Sequence, residues 1–228
     1  MSLSSTPPTQ PARPAPGADV VRLGVADLVE RARALAVPGR RVLLGVTGPP
    51  GAGKTTLARA LVAALGPELA VLVPMDGFHL ADPTLVAWGR RDRKGAPDTF
   101  DVGGFLSLLR RLRDQHEEVV HAPEFDRALE ASLGSAIPVA RDVPLVVTEG
   151  NYLLLDEGDW AQVAPLLHAS WYLQLPDSVR VDRLVRRRES YGSDHDDAVA
   201  WATGSDQANA DVVARDRSRA DLLVTLTD

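Results

Sequence analysis

The sequence of 228 residues suits one large domain, and its 45% hydrophobic residues suffice for an ordinary buried core. A formal net charge of -6 provides no overall basic field that would draw the chain onto nucleic acid or anionic lipid. The absence of cysteine excludes a disulfide framework, a zinc-thiolate site and thiol catalysis. We therefore expect neither a nucleic-acid nor a membrane partner.

The N-terminal residues 1–17, MSLSSTPPTQPARPAPG, are rich in proline and lack the apolar segment of a secretory signal. Composition of this kind predicts a disordered tail. No apolar run approaches the roughly 20 residues that span a bilayer. We predict a disordered tail over residues 1–17, a single domain over residues 18–228, and a cytoplasmic protein.

After the tail, apolar residues recur at steps of three and four and predict a helix with one apolar face, formed by Val21, Val25, Leu28, Ala32 and Leu35. Pro38-Gly39 ends it. Short apolar runs then predict five buried strands, near residues 42–46, 69–73, 145–148, 171–175 and 222–226. Helical patterns separate them, such as the one formed by Val102, Phe105, Leu109 and Leu112. Strands that alternate with helices predict a parallel sheet with helices on both faces, an α/β fold.

Two stretches interrupt this alternation. Residues 77–101 are polar and rich in glycine, proline and charge, and residues 117–141 form an irregular or hairpin excursion. In open α/β folds ligands bind beyond the carboxyl ends of the strands, where long loops are more often functional than idle. Both stretches are therefore candidates for substrate binding.

The strongest motif follows the first predicted strand directly: Gly48-Pro49-Pro50-Gly51-Ala52-Gly53-Lys54-Thr55 matches GxxxxGK[ST] in full. Glycines let the backbone N–H groups converge on phosphates, and the helix that follows adds its positive dipole end. Lys54 supplies an ammonium group and Thr55 a hydroxyl for Mg²⁺. We predict a site for ATP and Mg²⁺ with nucleotide contacts from Gly48, Gly51, Ala52, Gly53, Lys54, Thr55 and Thr56.

An acidic residue ends each of two further predicted strands: Asp76 after the second and Glu149 after the third. Parallel strands end at the same edge of a sheet, so both carboxylates should lie near the phosphate loop. One can assist the metal while the other accepts the proton of an attacking hydroxyl. A capping aspartate and a structural glutamate are the alternatives.

The ordered set of motifs resembles the uridine kinase and phosphoribulokinase family of P-loop kinases, with pantothenate kinase-like features. The likeness rests on GPPGAGKTT at 48–56, MDGFHL at 75–80, RKGAPDTFD at 93–101, PEFDR at 123–127, TEGNYLLL at 148–155 and the arginine run at 183–188. It implies strand order 2-3-1-4-5, Asp76 as the catalytic base, Glu149 near the metal, and a lid that brings arginines to the phosphates. Among these arginines we favour Arg183 and Arg187, which share a helix face at i and i+4; a solvated basic helix face is the alternative.

The residues that bind the acceptor are less explicit. Candidates lie in the two excursions and after the third strand, and for each a surface, ion-paired or buried structural role is the alternative: His79, Arg93, Lys94, Asp98, Phe125, Arg127 and Tyr152. Their mix of charge suits an acceptor with several hydroxyls and one anionic group. It suits an apolar alcohol poorly, since unpaired buried charges are costly.

These patterns predict an ATP-dependent kinase that phosphorylates an alcohol group on a nucleoside-, pantothenate- or sugar-like small molecule. The alternative is a nucleotide-dependent switch or ATPase that binds a protein partner and has no small-molecule acceptor. The sequence leaves a homodimer open.

Overall fold

The computed structural model describes residues 20–227, and the predicted tail over residues 1–17 lies outside them. Six parallel strands form the main sheet in the order β1-β8-β7-β2-β6-β3. These strands are β1 (Val20–Leu23), β2 (Val42–Thr47), β3 (Ala70–Pro74), β6 (Leu145–Glu149), β7 (Ala169–Leu173) and β8 (Leu222–Leu226). In residues 20–227 no helix has the length and apolar character needed to cross a bilayer.

The five strands predicted from the sequence have the expected order: β3, β6, β2, β7 and β8 lie side by side in the sheet in that order. The predicted number of strands was wrong: β1 adds a sixth at the edge, paired in parallel with β8 through contacts such as Val21 with Val224. The helix predicted to include Val21 begins only at Val25. The β-branched pair Val20-Val21 suits a strand, and the open edge of β8 offers the hydrogen bonds that stabilise one.

In the described part of the chain seven α-helices accompany the sheet: α1 (Val25–Leu35), α2 (Lys54–Leu65), α3 (Asp82–Ala87), α4 (Val102–Arg113), α5 (Asp177–Ser190), α6 (His195–Thr203) and α7 (Ser205–Arg215). Two apolar cores flank the sheet, as predicted for helices on both faces. Leu28 of α1 and Leu61 of α2 belong to one core. Phe105 of α4 and Val213 of α7 belong to the other.

The excursion over residues 117–141 is an antiparallel hairpin of β4 (Val119–Asp126) and β5 (Ala131–Ala140), outside the main sheet. Its inner residues Val120 and Val139 are fully buried against the core that contains α4. Because these apolar side chains anchor the base of the hairpin, its tip, near Arg127, projects over the sheet edge.

The polar stretch over residues 77–101 consists of short helical segments rather than an open loop. Besides α3, it contains 3-10 turns at Arg91–Arg93 and Pro97–Thr99, and a further turn at Met75–Phe78 overlaps its start. An isolated bridge joins His79 to Phe100 and closes the stretch on itself. The segment is therefore a compact unit beside the end of β3.

Strand register brings the predicted acidic residues to one edge. Pro74 of β3 and Val46 of β2 are both partners of Glu149 in β6, on either side of it. The phosphate loop leaves β2 at this level, and Asp76 follows β3 by two residues. The carboxyl ends of three adjacent strands thus carry the motifs.

Candidate active site

The loop over residues 48–55 forms a cradle between β2 and α2. A β-carbon at Gly48 would collide with the carbonyl oxygen of Leu173, so the loop can approach β7 only with glycine there. Gly51 and Gly53 adopt left-handed φ values of 82° and 92°, which glycine tolerates without strain. Such a glycine-rich loop, followed directly by the N-terminus of α2, is the backbone arrangement that binds a polyphosphate.

Lys54 is held inside this cradle. Its Nζ donates a hydrogen bond to the carbonyl oxygen of Pro49 at 3.0 Å, and only 8% of the residue is exposed. Burial lowers the pKa of Lys54 to about 8, while the nearby Glu149 and Asp76 carboxylates oppose this shift. The cation is thus partly desolvated and held at the phosphate loop, where a phosphate-binding lysine is expected.

Glu149 and Thr55 are joined by a hydrogen bond beside the phosphate loop. Thr55 Oγ1 donates to Glu149 Oε1 at 2.9 Å, and the carboxylate is buried with 4% exposure. Burial raises the pKa of Glu149 to about 7, and the negative charge of Asp76 adds to this shift.

These two oxygens suit a magnesium ion that a nucleotide helps to hold. In residues 20–227 no group of three or more His, Cys, Asp or Glu side chains is arranged to bind a metal by itself. Magnesium commonly takes one or two protein oxygens and completes its shell with water and substrate phosphates. The pair formed by Thr55 and Glu149 fits that pattern.

Asp76 has different surroundings from Glu149. Its Oδ2 accepts a hydrogen bond from an Arg127 guanidinium nitrogen at 2.9 Å, and 30% of the Asp76 side chain is exposed. Arg127 reaches it from the tip of the hairpin, 51 residues along the chain. One carboxylate is therefore buried against the phosphate loop and the other is open to solvent at the same sheet edge.

His79 forms a wall beside Asp76. Its Nδ1 lies 2.9 Å from the Asp76 carbonyl oxygen, and its ring packs between Phe100 and Phe125 at centroid distances of 4.1 and 4.9 Å. Burial is the main cause of the lowered pKa of His79. Ser132 of β5 donates to the His79 carbonyl oxygen at 3.1 Å. The hairpin is thereby tied to the segment that carries Asp76.

Phe125 lies between two cations. The Lys94 Nζ is 5.1 Å and the Arg127 Cζ 5.7 Å from the centre of its ring. Lys94 also forms ion pairs with Asp82 at 2.7 Å and Glu130 at 3.5 Å. Lys94 is thus engaged by Asp82 and Glu130, whereas Arg127 donates to Asp76.

Three other candidates have partners elsewhere. Arg93 pairs with Asp98 at 2.8 Å on an exposed surface. Tyr152 is fully buried, and its hydroxyl donates to the Gly95 carbonyl oxygen at 2.6 Å. The structure therefore brings together Lys54, Thr55, Glu149, Asp76, Arg127, His79 and Phe125. By contrast, Arg93 and Asp98 form a surface ion pair, and Tyr152 lies in the core.

Helix α5 carries Arg180 and, further along, the four arginines of the run at 183–188, which point in different directions. Arg183 and Arg187 are exposed, and no hydrogen bond or ion pair engages either side chain within the described part of the chain. An Arg183 guanidinium nitrogen lies 3.7 Å from where a β-carbon on Gly53 would be. Arg188 instead stacks on the Trp201 ring, with its Cζ 4.1 Å from the ring centre. Arg186 is exposed as well.

Sequence reasoning missed two residues near the loop, Arg180 and Asp206. Arg180 is completely buried beside Gly51. Burial raises the pKa of Asp206, against the opposing effect of Arg187, Arg188, Arg180 and Lys54. Arg180 shares a helix face with the apolar Leu184, a spacing that indicated burial; nothing in the sequence around Asp206 indicated its position.

A model of the "Phosphoribulokinase / Uridine kinase family" matches residues 43–227. The uncharacterised Escherichia coli protein YggC is 34% identical over 84% of this chain and 80% of its own. A Schizosaccharomyces pombe protein provisionally named a uridine kinase is 30% identical over 87% of this chain and 88% of its own. A solved structure from Silicibacter, provisionally named a fructose transport system kinase, has 40% identity and a TM-score of 0.80 over 88% of this chain and 98% of that one.

Proposed function

Because the chain belongs to the phosphoribulokinase and uridine kinase family, we propose that it transfers the γ-phosphoryl group of ATP to an alcohol hydroxyl of a hydroxyl-rich metabolite, with Mg²⁺. That the chain is a phosphotransferase of the P-loop kinase type, acting on a small molecule, follows from the family and the kinase relatives. The metal, the acceptor and the roles of individual residues are the proposal.

One observation supports it most directly: two carboxylates at the same edge have opposite environments. Glu149 is buried and hydrogen-bonded to the Thr55 hydroxyl, whereas Asp76 is partly exposed and meets Arg127. Carboxylates in different environments can divide metal binding and proton transfer between them. Glu149 with Thr55 would hold Mg²⁺, and Asp76 would align the acceptor hydroxyl and take its proton.

The other groups stabilise charge. Lys54 and the backbone N–H groups of the loop bind the phosphate oxygens, and Arg183 and Arg187 on α5 have free guanidinium groups for the charge that develops during transfer. A magnesium ion at Glu149 would neutralise phosphate charge and orient the transferred group. Phosphoryl transfer needs this positioning and electrostatic stabilisation more than covalent chemistry by the protein.

For the acceptor we propose a sugar or nucleoside. Arg127 offers a forked, partly exposed guanidinium next to Asp76, suited to a hydroxyl or an anionic group. The half-buried ring of Phe125, which packs against His79, offers an aromatic surface for a sugar or base ring. The names of two relatives, a fructose transport system kinase and a uridine kinase, both point to hydroxyl-rich acceptors. A pantothenate-like alcohol would be phosphorylated by the same transfer to a hydroxyl group.

The test is a screen of sugars, nucleosides and pantothenate-like alcohols with purified protein, ATP and Mg²⁺, in which ADP release is monitored. We expect at least one acceptor to raise ADP release well above the acceptor-free rate, and Lys54→Ala to abolish this rise. Hydrolysis that no acceptor accelerates would instead support the nucleotide-dependent switch.

A further inference from the structure

Arg180 is an unusual residue beneath the phosphate loop. Its side chain has 0% exposure, although guanidinium groups are rarely buried in full. Its Nε donates to Asp177 Oδ1 at 3.0 Å, and one terminal nitrogen donates to Gln207 Oε1 of α7. The other terminal nitrogen, buried as well, has no hydrogen-bond partner among the described residues.

The aliphatic part of the Arg180 side chain packs against the phosphate loop at Gly51. A β-carbon on Gly51 would lie 3.0 Å from Arg180 Cγ, from the Arg180 carbonyl oxygen and from Leu184 Cγ. Separations this short are tighter than most real β-carbon contacts, and the left-handed φ of 82° at Gly51 also favours glycine there. The backbone of the loop therefore rests directly on the second turn of α5.

Packing alone does not require a charge at this position. Burying a guanidinium costs several kcal/mol unless its partners compensate, and apolar side chains of similar volume often replace a buried ion pair without loss of stability. The Asp177 partner is 75% exposed, so solvent screens that pair. What a guanidinium provides here, and an apolar side chain would not, is the link from α5 to Gln207 on α7.

The first turn of α7 is also the part of that helix that faces the site. Asp206 precedes Gln207 and interacts electrostatically with Lys54 and with Arg187. Asn209, one turn further along, is buried with its amide nitrogen 3.9 Å from where a β-carbon on Gly95 would be. A shift of this turn would therefore move side chains that lie near the phosphate loop and near the segment over residues 77–101.

We propose that Arg180 is a positioning residue that holds the phosphate loop and the first turn of α7 in a fixed relation, so that nucleotide phosphates meet a preformed cradle. The inference rests on the proposed nucleotide site. Arg180 does not touch the phosphates; it acts through Gly51 on one side and Gln207 on the other. Its loss is expected to weaken nucleotide binding.

The test is a double-mutant cycle on nucleotide affinity, which needs no acceptor. The affinity of Mg·ADP is measured by calorimetry for wild type, Arg180→Met, Gln207→Ala and the double variant. We expect each single variant to raise Kd about tenfold, or roughly 1.4 kcal/mol. Because both changes break one link, we expect the double variant to show about the same tenfold rise, not about a hundredfold.

Arg41→Met is the matched control. Among residues 20–227 the buried Nε of Arg41 also lacks a hydrogen-bond partner. Arg41 directly precedes β2, at the end of that strand away from the phosphate loop, and donates to the Ala140 carbonyl oxygen. We expect this variant to lower the Tm and leave Kd unchanged.

An unchanged Kd in Gln207→Ala, or independent effects that multiply in the double variant, would overturn the inference. If Arg180→Met fails to fold, Gln207→Ala decides alone, since Gln207 is only half-buried. Failure of the wild type itself to bind Mg·ADP would refute the proposed nucleotide site instead.

Discussion

Burial sets the proton affinities of the two charged groups closest to the phosphate loop. It raises the pKa of Glu149 to about 7 and lowers that of Lys54 to about 8. In the proposed mechanism Glu149 must be ionised to bind Mg²⁺ and Lys54 must be protonated to bind phosphate. Activity should therefore fall as pH drops through the Glu149 pKa and as it rises through the Lys54 pKa.

We accordingly expect a narrow, bell-shaped pH profile of kcat/KM for ATP, since this parameter reports ionisations of the free enzyme. Its acid limb should lie near the pKa of Glu149 and its alkaline limb near that of Lys54. The measurement is steady-state kinetics at saturating acceptor across this range. A flat profile through both values would contradict the assigned ionisations.

The two carboxylates should also respond differently to substitution. Asp76→Asn removes the proposed base and should lower kcat by about 10²-fold or more, with little change in KM for ATP. Glu149→Gln removes an anionic metal ligand and should raise the Mg²⁺ concentration needed for half-maximal activity. Magnesium titrations of both variants separate the two roles. An increased magnesium requirement in Asp76→Asn, with a lowered kcat alone in Glu149→Gln, would reverse the assignment.

At the level of secondary-structure elements, the β4–β5 hairpin carries the acceptor prediction. Its tip brings Arg127 to Asp76, while its base is anchored in the core. Arg127→Ala should raise KM for the acceptor about tenfold, the loss of roughly 1.4 kcal/mol, and leave KM for ATP nearly unchanged. The measurement varies each substrate in turn.

Arg141→Ala is the control for that experiment. Arg141 follows β5 at the far end of the hairpin, where it donates to the His116 carbonyl oxygen at 3.2 Å. Both substitutions remove an exposed arginine from the same hairpin, but only one lies at the site. Equal acceptor KM values in the two variants would place the acceptor elsewhere.

The elements themselves were predicted unequally well. The apolar periodicity of Phe105, Leu109 and Leu112 predicted α4, which spans Val102–Arg113. The same kind of pattern predicted a helix through Val21, where the chain instead forms β1. Periodicity is a local property, whereas β1 owes its state to hydrogen bonds with β8, some 200 residues later in the chain. The spacing of apolar residues within a short segment carries no information about a strand partner so far along the chain.

For the molecule as a whole, nucleotide binding should appear as stability. A ligand that binds only the folded state at about 100 times its Kd adds about 2.7 kcal/mol, which corresponds to a rise in Tm of roughly 5–10 °C for a domain of about 200 residues. We expect this rise with Mg·ADP, a smaller one when EDTA removes the metal, and none in Lys54→Ala. Differential scanning fluorimetry measures it. A full shift in Lys54→Ala would show that the nucleotide binds elsewhere.

The sequence by itself determined the α/β architecture and the phosphate loop. Both rest on information close together in the chain: apolar runs, helical spacing, and glycines around Lys54. The order of the five principal strands followed from the resemblance to the kinase family and not from local spacing. The positions of Asp76 and Glu149 at a shared edge also followed, because parallel strands place their carboxyl ends side by side.

Only the tertiary structure decided how these groups differ. The segments that pack over the sheet edge determine that Glu149 is buried while Asp76 is partly exposed. They also determine that Arg127 reaches Asp76 across 51 residues and that Arg180 is fully buried. Desolvation and ion pairing act over a few ångströms in space, irrespective of separation along the chain. Two carboxylates or two arginines of similar chemistry therefore acquire different environments only once the chain has folded.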